Sequence, residues 1–427
     1  MDINQLQSHM VLMLEESIER DIPSSVTQDY WRWSLSEQNP KRDLWVKTLG
    51  IPQFTNLTFV LLEGFLLKYK GILGYSGLLN IYSLFETISD NLAIGCVERF
   101  NHKSDLSDLR REVIAHYNQA MIQKLENPQL SVTTLLEPIK HKVEQLSLFE
   151  HSLSAEKLRE LPSNYVNTVE AVTLNDIEFG AWALLVANIE TGSLALEQFS
   201  DESTYPLLRD HLIRRYQDMN KLMNTSQFNL DDRLAQGTST ILVSAVLSYY
   251  FAAFDKLREE QFVASDDTLA LLSDTFDSAS LLIRLLNDIG PKLLTDKSLI
   301  DDLVVGLETC KERFPDSESI FELLLMITEN NPDMTRISKD LHFNEYNILL
   351  DSLEGLDIDE AIKQVKYILT ELNTLYADHK AKLKANIERL DELLDDRSFG
   401  KLVSEFVGFH EYLYQLPHDQ NSGEYAV

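Results

Sequence analysis

The chain has 427 residues, of which 44% are apolar and 25% charged, a balance that supports a globular core and excludes extensive disorder. Its 38 basic residues face 68 acidic ones, and the resulting charge of -30 repels nucleic-acid phosphates and anionic membrane surfaces. Two cysteines, Cys96 and Cys310, are too few for a disulfide framework and fit a reducing, cytoplasmic setting.

Taken in chain order, Met1 to Gln5 lacks the basic and apolar blocks of a signal peptide. Residues 1–52 read as an N-terminal helical extension, 53–416 as a helical core domain and 417–427 as a loose polar tail. Helix breakers and N-cap residues cluster at Ile22-Pro23-Ser24-Ser25, Gly50-Ile51-Pro52, Leu161-Pro162-Ser163-Asn164, Gly290-Pro291, Phe314-Pro315 and Asn331-Pro332-Asp333. Between them the period predicts about fourteen helices and no strand. Phe179 to Ile189 and Thr240 to Phe254 are apolar on every side, which demands enclosure by other helices. The longest apolar run, Ile241 to Phe254, is shorter than the ~18 to 20 residues of a bilayer span, so no membrane span is expected. Near the C-terminus, Ile362, Val365, Leu369, Leu372, Tyr376, Leu383, Ile387, Leu390 and Leu394 keep one face and predict a long amphipathic helix over 358–396. That helix could supply a partner-binding or homodimer face.

Two stretches carry acids on otherwise apolar helices. In Leu79 to Arg99, Glu86 and Asp90 lie one turn apart on the same face, with Asn91 and Glu98 extending the strip. In Leu271 to Asp296, Asp277, Arg284, Asn287 and Asp288 recur at helical spacing, and the planar fork of Arg284 suits a carboxylate or a diphosphate. Acid pairs on a solvated edge are the commoner explanation of the first stretch, and structural ion pairing that of the second. Phosphate-cradling glycine loops and nucleophile elbows are absent from the sequence.

In their order along the chain, these stretches resemble the two metal-binding helices of the class I terpene (isoprenoid) synthase family. The resemblance implies an all-α, large single helical bundle of isoprenoid-synthase type, using three Mg²⁺ ions to ionise and cyclise a prenyl diphosphate substrate. It makes Glu86, Asp90 and Asn91 the first metal-binding motif and Asn287, Asp288 and Asp296 the second. Arg284 and Lys292 would meet the diphosphate. Trp182, Tyr249, Tyr250 and Phe251 would line the substrate pocket, and Lys366 and Tyr367 would stand where the family grips diphosphate. The second motif departs from the family pattern: Pro291 and Thr295 replace the expected Ser or Thr and Glu, and Gly290-Pro291 should distort the helix. If the motifs work together, Asp90 and Asp288 must face one cavity mouth, within about 12 Å for a compact Mg²⁺ cluster.

Two other classes compete. A non-enzymatic all-helical interaction scaffold explains the incomplete motifs and expects open acids with no cavity beneath them. A haem-oxygenase-like diiron enzyme needs converging Glu and His ligands; Glu112 with His116, and Glu178, Glu190 and Glu197, are spaced on helices, but none makes Glu-x-x-His, and His342 with Glu345 gives only the reverse order.

Overall fold

The computed structural model describes residues 3–69, 71–97, 99, 105–149, 160–224, 229–258 and 265–415. Among the described residues there are twenty-two α-helices, two 3-10 turns and no strand, packed as one all-α bundle. The helices outnumber the sequence expectation because several are only four to six residues long, including Val132–Leu136, Lys140–Val143, Pro291–Thr295 and Ile348–Asp351. Such pieces are too short for a hydrophobic period to register. The tail expected at 417–427 lies outside the described residues.

The longest helix, Ile358–Leu394, begins where the Asp357 side chain accepts from Glu360 N at 2.9 Å and ends on Asp395 in left-handed backbone. Its apolar stripe, from Ile362 to Leu394, is buried against Asp266–Ile289 and its neighbours. The face that could have joined a second copy is therefore used inside the chain. Asp266–Ile289 itself ends at Gly290, whose φ of 87° favours glycine, and Pro291 then starts a new short helix.

Two apolar cores meet on the helices Ile72–Ala93 and Ala181–Glu197. One face of Ile72–Ala93 puts Leu79, Tyr82 and Leu92 into the main core with Tyr249, Tyr250 and Phe254. Its other face puts Ile81, Leu84 and Phe85 against the N-terminal helices, through Leu14, Ile18, Trp31 and Trp45. The Trp31 ring stacks on Phe85 with centroids 5.5 Å apart. Residues 3–52 are thus fastened to the bundle by aromatic burial, on the order of 1.5 to 3 kcal/mol for each large side chain. Among the described residues, one helical stretch, Leu174–Glu197, has the length and apolarity to cross a membrane, as does the bent pair Leu230–Thr240 and Val243–Lys256. The apolar window of Leu174–Glu197 is 72% buried within the protein, and Val243–Lys256 is buried along almost its whole length.

Candidate functional site

Ile72–Ala93 starts at Gly71, in left-handed backbone, and carries no proline, so its last turns present Glu86 and Asp90 one above the other. Their surroundings differ. Glu86 is only 3% exposed. Its Oε1 accepts from Arg215 Nε at 3.0 Å and Nη2 at 2.6 Å. Its Oε2 accepts from Asn188 Nδ2 at 2.8 Å, Tyr216 OH at 3.0 Å and Tyr117 OH at 3.4 Å. Five donors from three other helices thus meet a carboxylate that offers about four lone-pair sites. No acceptor capacity is left for a cation, and an unpaired carboxylate at this depth would cost several kcal/mol. Arg215 is fixed in turn by the Thr240 carbonyl oxygen.

Asp90 sits at the edge of the same recess, with its side chain 60% exposed and 3.3 Å from Arg215. Desolvation by the protein at the rim pushes its carboxyl up to about 6. Arg215 opposes the shift, while Glu86 and Glu345 add repulsion. Asn91 beside it is half-buried. The recess, lined by Glu86, Ser89, Asp90, Tyr117, Arg215 and Tyr216, leaves ≈ 20 Å³ for water centres. That is room for one or two waters and far too little for a diphosphate.

The second acidic stretch closes in a different way. Asp288 is fully buried, 3.0 Å from Arg284 Nε, and accepts from the Ile348 backbone N–H at 2.9 Å. Burial pushes its carboxyl up to about 6, with Asp340 and Asp351 adding to the rise and Arg284 resisting it. The Asn287 side chain accepts from Arg336, which also binds the Asn287 carbonyl at 2.9 Å. Gly290 and Pro291 then turn the chain away, as the sequence suggested. Asp296 consequently ends up exposed as the N-cap of Lys297–Arg313, accepting from Ser298 Oγ at 2.7 Å and Ser298 N at 2.9 Å, and these bonds hold its carboxyl below the usual range. Lys292 lines a separate open cleft of ≈ 180 Å³ with Tyr376, Lys380 and Glu411.

The two stretches nonetheless approach the same charged end of the bundle, and the segment 344–355 lies across it. Glu345 and Lys339, which act on Asp90 through space, are paired at 2.6 Å. Lys339 also holds Asp340 at 2.9 Å, and Asn347 Nδ2 donates to Asp340 at 2.7 Å and to the Asp288 carbonyl at 2.8 Å. Ile348, Leu349, Leu350 and Leu353 anchor this segment in the core. Exposing all four would cost on the order of 6 to 12 kcal/mol, comparable with the whole margin of a folded domain at about 5 to 15 kcal/mol. The segment is a fixed plug and not a lid.

The aromatic side chains expected to line a substrate pocket fill space instead. Tyr249 OH donates to the Tyr75 carbonyl at 2.8 Å and accepts from Gln198 at 2.9 Å, Tyr250 is buried, and the Phe251 ring packs on Phe399 at 4.8 Å. The voids beside Tyr249 and Phe251 leave ≈ 10 Å³ each for water centres. Trp182 lies to one side, donating to the Leu136 carbonyl at 3.1 Å under the Lys140 ammonium. Lys366 pairs with Asp301 at 2.8 Å in solvent, and Tyr367 is 56% exposed, so neither reaches the charged end through a cavity. The acids of the diiron reading are separate as well: Glu112 pairs with Lys142, Glu190 with Lys124, Glu178 with Ser147 and Glu197 with Tyr205.

Among the described residues, no group of three His, Cys, Asp or Glu side chains is placed to hold a metal ion. Three Mg²⁺ ions do not fit this site, because Glu86 and Asp288 are already taken and Asp296 is elsewhere. No protein-family model, no curated protein and no solved structure matches the chain.

The sequence reading missed Arg215, Asn188, Tyr117 and Tyr216. A signal for Arg215 existed: Leu208, His211, Leu212, Arg215, Tyr216 and Leu222 share the buried stripe of Tyr205–Asn224. A permanently charged residue on such a stripe calls for a buried acid elsewhere in the chain.

Proposed function

We propose that this chain is a non-catalytic, all-helical interaction protein in which the two acidic stretches are internal fastenings. The observation that carries the reading is the full occupation of Glu86 by Arg215, Asn188, Tyr117 and Tyr216. The small size of the voids beside Tyr249 and Phe251, ≈ 10 Å³ each, supports it. The chemistry available to partners is then that of the outer surface, where a charge of -30 attracts partners bearing positive charge and speeds their encounter. The test is calorimetric titration of the native protein with Mg²⁺, with and without farnesyl diphosphate. The reading expects no saturable heat in either case, and tight Mg²⁺ binding dependent on the diphosphate would overturn it.

A second reading, a prenyl diphosphate-ionising enzyme of isoprenoid-synthase type, is favoured by one observation. Asp90 keeps solvent access at the end of the bundle where the second stretch also arrives. Under that reading, Asp90→Ala abolishes release of diphosphate; under the first, native protein and variant are equally inactive.

A further inference from the structure

Segment 344–355 is bounded by two residues in left-handed backbone, Asn344 at φ 50° and Gly355 at φ 75°. Between them it turns acceptors inward onto basic side chains brought from elsewhere in the sequence. Arg99 donates to the Glu345 carbonyl and, at 2.6 Å, to Asp351 Oδ1. Arg233 Nε stands 3.9 Å from Asp351 Oδ2, and Arg284 donates to the Tyr346 carbonyl at 3.1 Å. The Arg99 side chain has no solvent exposure, and its Nε–H finds no acceptor among the described residues. Asp351 has only two oxygens to share between Arg99 and Arg233, and one guanidinium N–H remains unanswered. A tetrahedral oxyanion has four oxygens and would answer it, because guanidinium forks match phosphate as well as carboxylate geometry.

We propose that Asp351 is a built-in pseudo-ligand, occupying within the chain an oxyanion site formed by Arg99 and Arg233 that fits a phosphate-sized anion. This deepens the non-catalytic reading, since the site is filled by the protein's own carboxylate and sealed by the segment that carries it. In the native protein, Arg99 and Arg233 hold this segment down and are not offered to solvent. Removing the Asp351 carboxylate uncovers them and converts the fastening into a binding site for a free oxyanion.

The experiment compares native protein, Asp351→Ala and Asp351→Asn, each melted over a series of inorganic phosphate concentrations with chloride matching the ionic strength. The expected result is a native melting temperature indifferent to phosphate. Asp351→Ala should melt lower and recover several degrees as phosphate is added, with saturation. Asp351→Asn keeps the shape without the charge, decides the matter should the alanine variant not fold, and should show the same recovery to a smaller extent. Variants that fold yet gain nothing from phosphate, or a native protein that gains as much as they do, would overturn the proposal. Diphosphate release by the native protein would instead sink the non-catalytic reading, so the two failures are distinguishable.

Discussion

Glu86 and Asp288 hold matching places in the two acidic stretches, and both are buried beside an arginine, yet they are closed by different means. Glu86 is gripped by side chains of three packed helices, and its neighbour Asp90 is left open to solvent at the rim. Asp288 is gripped by Arg284 on its own helix and by the backbone of a plug whose leucines root it in the core. The first is a side-chain lock and the second a backbone seal. Acid spacing on a helix tells which groups share a face, whereas the partner that neutralises them decides whether they can bind anything.

Replacing Arg215 with alanine attacks the lock, leaving Glu86 buried and short of its main partner. A loss of about 3 to 5 kcal/mol is expected in urea unfolding, and adding Glu86→Gln should recover part of it in a double-mutant cycle. If the single variant lost under about 1 kcal/mol, the range of an exposed ion pair, Glu86 would not be locked. The seal is tested by Leu350→Ala, which removes a fully buried anchor of the plug and should cost about 2 to 5 kcal/mol. It should also raise hydrogen exchange at the Ile348 amide, which an unaltered exchange rate would contradict.

Asp90 sharpens the contrast through pH. Its carboxyl is raised from 3.8 to about 6, so the folded protein holds that proton more tightly than the unfolded chain. Its contribution therefore makes stability rise as pH falls from about 6 toward 4. Asp90→Asn cannot titrate: it should melt slightly above the native protein at pH 7, with the gap closing on acidification. A variant less stable than native at neutral pH would show that Asp90 is held by Arg215 and not strained beside it. The smallest effect is expected at Lys366→Ala, which removes an exposed pair with Asp301 and should shift stability by under about 0.5 kcal/mol.

The fold was legible wherever a hydrophobic period ran long. The stripe from Ile362 to Leu394 located the longest helix, and the all-apolar run ending at Phe254 marked a buried one. Short helices such as Ile348–Asp351 left no period to read. At the site, the spacing of Glu86 and Asp90 was readable, but Arg215 lies 129 residues from Glu86 and Ile348 lies 60 from Asp288. Such pairings are set by how helices pack, which no local pattern encodes. The aromatic run at Tyr249 to Phe251 illustrates the same limit, because the same residues could line a cavity or fill one, and here they fill it.

The most direct test of the closed-site account is diphosphate release by purified protein incubated with Mg²⁺ and, in turn, geranyl, farnesyl, geranylgeranyl and geranylfarnesyl diphosphate, beside an Asp90→Ala control. The account predicts no release above the uncatalysed background in either protein. Release by the native protein that vanishes in the control would contradict it.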